Sequence, residues 1–132
     1  MKKLRGYIFS RSFMGERVPQ NIQNMALREY CNRKKFQYLL SFSEYAMTDS
    51  SAMLYDAINE KDNHGIVAYS IFQLPFDEKK RFKFYELILK LKKMIHFAIE
   101  DMHISNHSQV DYVEKIWLIK KTLEMSNNKF EI

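Results

Sequence analysis

Asn63-His64-Gly65-Ile66-Val67-Ala68-Tyr69-Ser70 sets a turn signal, a compact apolar run and a polar exit side by side. A run this short, bounded by Asn and Gly and rich in β-branched residues, reads as a buried strand, and its exit begins near Ser70. Helical patterns flank it on both sides. Upstream, Thr48, Asp49 and Ser50 offer alternative N-caps to a short helix whose apolar face is Met53, Leu54, Ala57 and Ile58. Downstream, Pro75 closes a loop, Asp77 can cap, and Phe84, Leu87, Ile88 and Leu91 build a second helix flanked by lysines.

The same alternation continues outward. Leu4–Ser10 reads as the first strand, and after a loop Pro19 opens a helix to Lys34 in which Ile22, Met25, Ala26 and Tyr30 recur at helical spacing. Phe36–Phe42 follows as a strand, Ile95–Ile99 as the fourth, and Ser105–Ser108 as a polar turn. A last helix, with Val113, Ile116, Trp117, Ile119 and Leu123 on a wide apolar stripe, runs to about Glu124. Strands alternating with helices are the signature of βαβ units. The expectation is a single α/β domain over residues 1–132, with a mainly parallel four-stranded sheet flanked by helices and a C-terminal helix.

Composition agrees with one ordinary core. At 132 residues and 15.9 kDa, folding removes roughly 70% of the unfolded surface from water. With 46% hydrophobic residues, 3 Gly and 2 Pro, the chain is neither disordered nor low-complexity. Cys31 is the sole cysteine, and no Cys/His cluster stands at metal-ligand spacing, so no internal disulfide and no metal site are expected. Arg5 and Arg11 leave too short an apolar stretch for a signal peptide, and no run reaches the length of a membrane span. A cytoplasmic protein is expected. The net charge of +5 permits a phosphate-bearing partner without choosing one, and no cofactor is indicated.

The segments Gly6-Tyr7-Ile8-Phe9-Ser10-Arg11-Ser12-Phe13, Pro19-Gln20-Asn21-Ile22-Gln23-Asn24 and Ser43-Glu44-Tyr45-Ala46-Met47 resemble a family of small proteins encoded sporadically in bacterial surface-carbohydrate gene clusters. That resemblance covers roughly Arg5 to Asp101 and implies a pathway, not a reaction. The Gly-Tyr strand and the Gln-containing helix are also similar to the catalytic domain of serine recombinases, which implies a resolvase-like frame. The recombinase chemistry does not carry over: counted from Gly6-Tyr7, that family's arginine and nucleophilic serine fall on Phe9 and Arg11, with Ser10 and Ser12 beside them. Phe72-Gln73-Leu74-Pro75 stands where the recombinases place an acidic residue and arginines. With the expected active-site positions altered, and fold not establishing function, DNA is disfavoured as a partner.

In an open parallel sheet, ligands bind at the carboxyl edge where strand order reverses. The first exit supplies Ser10, Arg11, Ser12 and Arg17 just before a helix start, a candidate anion pocket; solvated arginines and serines bonded to loop backbone are the alternative. The second exit supplies Glu44 and Tyr45, the third Ser70 and Gln73, and the fourth Glu100. Glu44, Tyr45 and Glu100 are the candidate catalytic groups, as proton acceptors or as holders of sugar hydroxyls, with an ion pair to Arg11 or Arg17 the alternative for Glu44 and a partly buried ring for Tyr45. Ser10, Arg11, Ser12, Arg17, Ser70 and Gln73 are the candidate ligand-binding groups.

Other conspicuous residues carry ordinary readings. His96 reads as a hydrogen-bonded core residue, Cys31 as packing, and Lys79-Lys80-Arg81-Phe82-Lys83 as a solvated helix start. The expected function is an accessory protein or small enzyme of surface-polysaccharide biosynthesis that recognises an anionic sugar or nucleotide-sugar ligand; the alternative is a non-catalytic binding or scaffold protein on a degenerate recombinase-like fold. The wide stripe on the last helix points to a homodimer.

Overall fold

Strand β1 (Lys3–Phe9) alternates its side chains between two different cores. Leu4 and Ile8 face helix α1 (Gln20–Lys34), where they pack with Val67, Leu27, Tyr30 and Cys31. Tyr7 and Phe9 face the larger core on the other side. That second core is roofed by α2 (Ala52–Asn59), α3 (Glu78–Lys90) and α4 (His107–Phe130). The computed structural model describes residues 1–47 and 49–130.

The sheet has five strands in the order β2-β1-β3-β4-β5, from β2 (Gln37–Glu44), β3 (Gly65–Ala68), β4 (Met94–Phe97) and β5 (Met102–Ile104). The first four run parallel and β5 is antiparallel to β4. Four strands were expected; the fifth has only three residues, too few for an apolar alternation to register. The expected fourth strand is also shorter, because Ala98–Asp101 turn the chain back toward β5 and leave Ile99 56% exposed. Strand β2 extends two residues beyond Phe42, which puts Glu44 at its end.

Two glycines are demanded by close approach. A Cβ on Gly65 would lie 2.0 Å from the Met94 carbonyl oxygen, and one on Gly6 would lie 2.8 Å from Ser41 Cβ, where β1 and β2 shift register. Among the described residues, no helix is long and apolar enough to cross a membrane. Thr48, one of the expected caps of α2, lies outside the described residues.

Candidate active-edge cleft

Strand order reverses at β1, so the carboxyl ends of β1 and β3 form the edge where a doubly wound sheet takes ligands. The polar side chains expected there are present, and most are spent on the fold. Glu44 is 1% exposed. Its carboxylate accepts hydrogen bonds from the Tyr7 hydroxyl (2.8 Å), the Ser50 hydroxyl (3.0 Å) and the amides of Tyr45, Met53 and Leu54 (3.1, 3.2 and 3.3 Å). Met53 and Leu54 lie in the first turn of α2, whose N-cap residue Ser51 makes no side-chain cap bond. Glu44 therefore caps α2 from the neighbouring strand. The expected caps Asp49 and Ser50 do not, and no ion pair of Glu44 with Arg11 or Arg17 forms among the described residues. Burial pushes the Glu44 carboxyl up, and the bonds from Tyr7, Met53, Tyr45 and Ser50 outweigh it, leaving the pKa below the usual carboxylate range.

Glu100 has a matching task one strand over. It accepts from the Ser70 hydroxyl (2.7 Å) and the Ile71 amide (2.9 Å), tying β4's exit to the 3-10 turn Ile71–Gln73. Ser70 and Gln73 complete a capping box on that turn, Gln73 Oε1 accepting from the amides of Tyr69 (2.8 Å) and Ser70 (3.2 Å). Gln73 then donates to Gln23 Oε1 at 2.8 Å, and Gln23 holds both the amide and the carbonyl of Phe9 (2.9 and 3.0 Å). This buried amide pair joins α1, the end of β1 and the β3 exit. Gln23 was not singled out from sequence; a glutamine on the inner face of a helix was the available signal.

The groups left facing solvent define a cleft of about 850 Å³ between the β1 exit, the β2–α2 loop, the β3 exit and α4. Arg11 and Ser12 line it with Phe9, Asp49, Asp77, Lys80 and Trp117. Arg11 stacks on Phe9 at 4.2 Å and donates to the carbonyls of Tyr45 (2.7 Å), Met47 (3.1 Å) and Ser50 (2.9 Å). Those acceptors are neutral, so its charge has no carboxylate partner among the described residues. Ser10 turns away, donating to the Glu44 carbonyl at 2.8 Å. Arg17 is exposed and takes no part in the lining, and Tyr45, 53% exposed, contributes its carbonyl to Arg11 and no ring to the cleft.

Of the other conspicuous residues, Arg81 departs from its expected solvated place: it is 5% exposed and pairs with Glu114 at 2.8 Å. His96 is buried, bonded to the Tyr30 hydroxyl at 2.7 Å and stacked on His103 at 4.9 Å; burial, with help from His103 and Lys34, pushes its pKa down to about 3. Burial pushes the Cys31 thiol up to about 11, so it is no thiolate at neutral pH. Among the described residues no group of three or more His, Cys, Asp or Glu side chains is placed to hold a metal ion.

The chain is similar in structure to the N-terminal catalytic domain of TP901-1 integrase: the match covers 97% of this chain and 99% of that one with a TM-score of 0.63 at 15% identity. The likeness is one of fold. It bears out the resolvase-like α/β frame, and it does not bear on the surface-carbohydrate gene clusters. No family model matches the chain, and neither does any curated protein. Here the frame's β1 exit carries Phe9 locked to Gln23, Arg11 bound to loop carbonyls, and Ser12 exposed in the cleft.

Proposed function

We propose that the protein is a cytoplasmic accessory protein of bacterial surface-polysaccharide biosynthesis that recognises a nucleotide-sugar or similar anionic sugar in the carboxyl-edge cleft without turning it over. The observation that carries this reading is the division of labour at the sheet edge. Glu44 and Glu100, the carboxylates best placed for proton transfer, are engaged by the fold, whereas the open cleft is lined by two cations, Arg11 (also tied to loop carbonyls) and Lys80, two acids, Asp49 and Asp77 (the latter also the N-cap of α3), and aromatic rings. Cations suit phosphate oxygens, carboxylates suit sugar hydroxyls, and rings suit the faces of a base or sugar. The pathway rests on the resemblance of the Ser10–Phe13, Pro19–Asn24 and Ser43–Met47 segments to the carbohydrate-cluster family.

Incubation with UDP-glucose, GDP-mannose or sugar phosphates should raise the melting temperature with no new product by chromatography. Product formation would reinstate an enzyme, and the absence of any stabilisation would remove the ligand class.

A homodimer belongs to the same reading. On α4, Val113 and Trp117 are buried in their own subunit, whereas Tyr112, Ile119 and Leu123 are 59%, 59% and 56% exposed along another face. A second copy of the same helix would cover that stripe symmetrically.

A further inference from the structure

Trp117 borders the cleft and carries a polar group that the fold leaves incomplete. The indole is 5% exposed, and its Nε1–H has no acceptor among the described residues. Its neighbours are otherwise well paired. Arg81 stacks on the ring at 4.2 Å, gives two bonds to Glu114 (2.9 and 2.8 Å) and two to the carbonyls of Pro75 and Phe76 (3.3 and 2.7 Å). Tyr85 donates to the same Glu114 at 2.5 Å. In so saturated a setting an unpaired buried donor is unusual.

The ring also lies in the wall between two open spaces. One is the cleft holding Arg11, Ser12 and Lys80; the other is a groove of about 690 Å³ between α3 and α4. The cleft, at about 850 Å³, is larger than a lone phosphate needs and falls within the usual range of small-molecule sites.

We propose that Trp117 is a specificity-determining residue: an oxygen of the bound nucleoside diphosphate sugar accepts the Nε1–H while the ligand's charge lies toward Arg11 and Lys80. The proposal rests on the ligand class advanced above. Phe72 and Phe76 stand edge-on to the indole at 5.0 and 6.2 Å and line the same cleft. Arg81, anchored by Glu114, acts as a positioning residue that keeps the ring in register. A ligand that spans the cleft gains the extra bond, whereas free phosphate, held at the cationic end, does not.

The chain has one tryptophan, so its indole N–H gives a single resolved cross-peak in a proton–nitrogen spectrum. UDP-glucose, GDP-mannose and inorganic phosphate are added in turn to the wild-type protein. At least one nucleotide sugar should move the indole proton downfield and slow its exchange with water, while phosphate leaves it in place. Trp117→Phe, checked for an unchanged pattern of core amides, should bind that nucleotide sugar about tenfold or more weakly. A stationary indole peak while the Arg11 and Ser12 amides shift would overturn the role of Trp117 and leave the binding reading intact. No shift anywhere with any of the three would overturn both.

Discussion

Glu44 carries the clearest separation between what a residue type suggests and what its surroundings make of it. A carboxylate at a strand exit next to Arg11 invites a catalytic reading, yet this one is filled by two hydroxyls and three amides. Glu44→Gln puts an amide N–H2 against a backbone N–H whichever way it is turned, so unfolding by urea should show a loss of about 1–3 kcal/mol; a variant as stable as wild type would contradict the capping role. His96 supplies a pH dependence. Its folded pKa near 3 lies below the ordinary value of about 6.5, so the unfolded chain binds the extra proton first as pH falls. Stability from this group is complete above about pH 6.5 and declines toward pH 3 by up to about 1.4 kcal/mol per unit, and Glu44 steepens the loss below about pH 4. A flat urea midpoint between pH 7 and pH 5 would count against a buried neutral His96. Its place in a hydrogen-bonded core was legible from the apolar run around it; the capping role of Glu44 was not, because its partners Met53 and Leu54 meet it only through the packing of α2 on β1 and β2.

Loops and helices at the sheet edge show the same limit. The positions of β1, β3 and α3 follow from apolar spacing, and so did the prediction that their exits would converge; α1 lies where expected but turned, burying Gln23, Leu27, Tyr30 and Cys31 while Ile22 and Met25, expected on its apolar face, are 43% and 64% exposed. How the exits are stitched together did not follow, since Gln23, Gln73, Ser70 and Glu100 join segments distant in sequence by bonds that have no local pattern. Strand β5 escaped because it is short, and the burial of Arg81 because its partner Glu114 lies on α4. Arg11 and Arg17, equivalent in the sequence, are now distinguishable: Arg11 bridges the β1 exit to the β2–α2 loop inside the cleft, and Arg17 lies outside it. Titration calorimetry with a nucleotide sugar should find Arg11→Ala at least about tenfold weaker and Arg17→Ala close to wild type. Equal losses would move the anion site toward the start of α1.

Taken as one body, the protein keeps a recombinase-like frame while its polar edge is largely closed on itself. The wide stripe expected to meet a second subunit included Trp117; its burial leaves Ile119 and Leu123 as the exposed part of that stripe. Sedimentation at tens of micromolar should give a dimer, and Ile119→Glu should yield a folded monomer; a wild-type monomer would reject the assembly. Fold likeness to an integrase catalytic domain does not set the ligand, and the sugar-nucleotide proposal rests on the cleft's mixed charges and rings. The direct test is a crystal structure of the protein grown with UDP-glucose or GDP-mannose. It should place the pyrophosphate beside Arg11 and Lys80 with the Glu44 carboxylate still on the Met53 and Leu54 amides. Ligand bound elsewhere, or Glu44 released from α2 and turned onto the sugar, would contradict recognition without turnover.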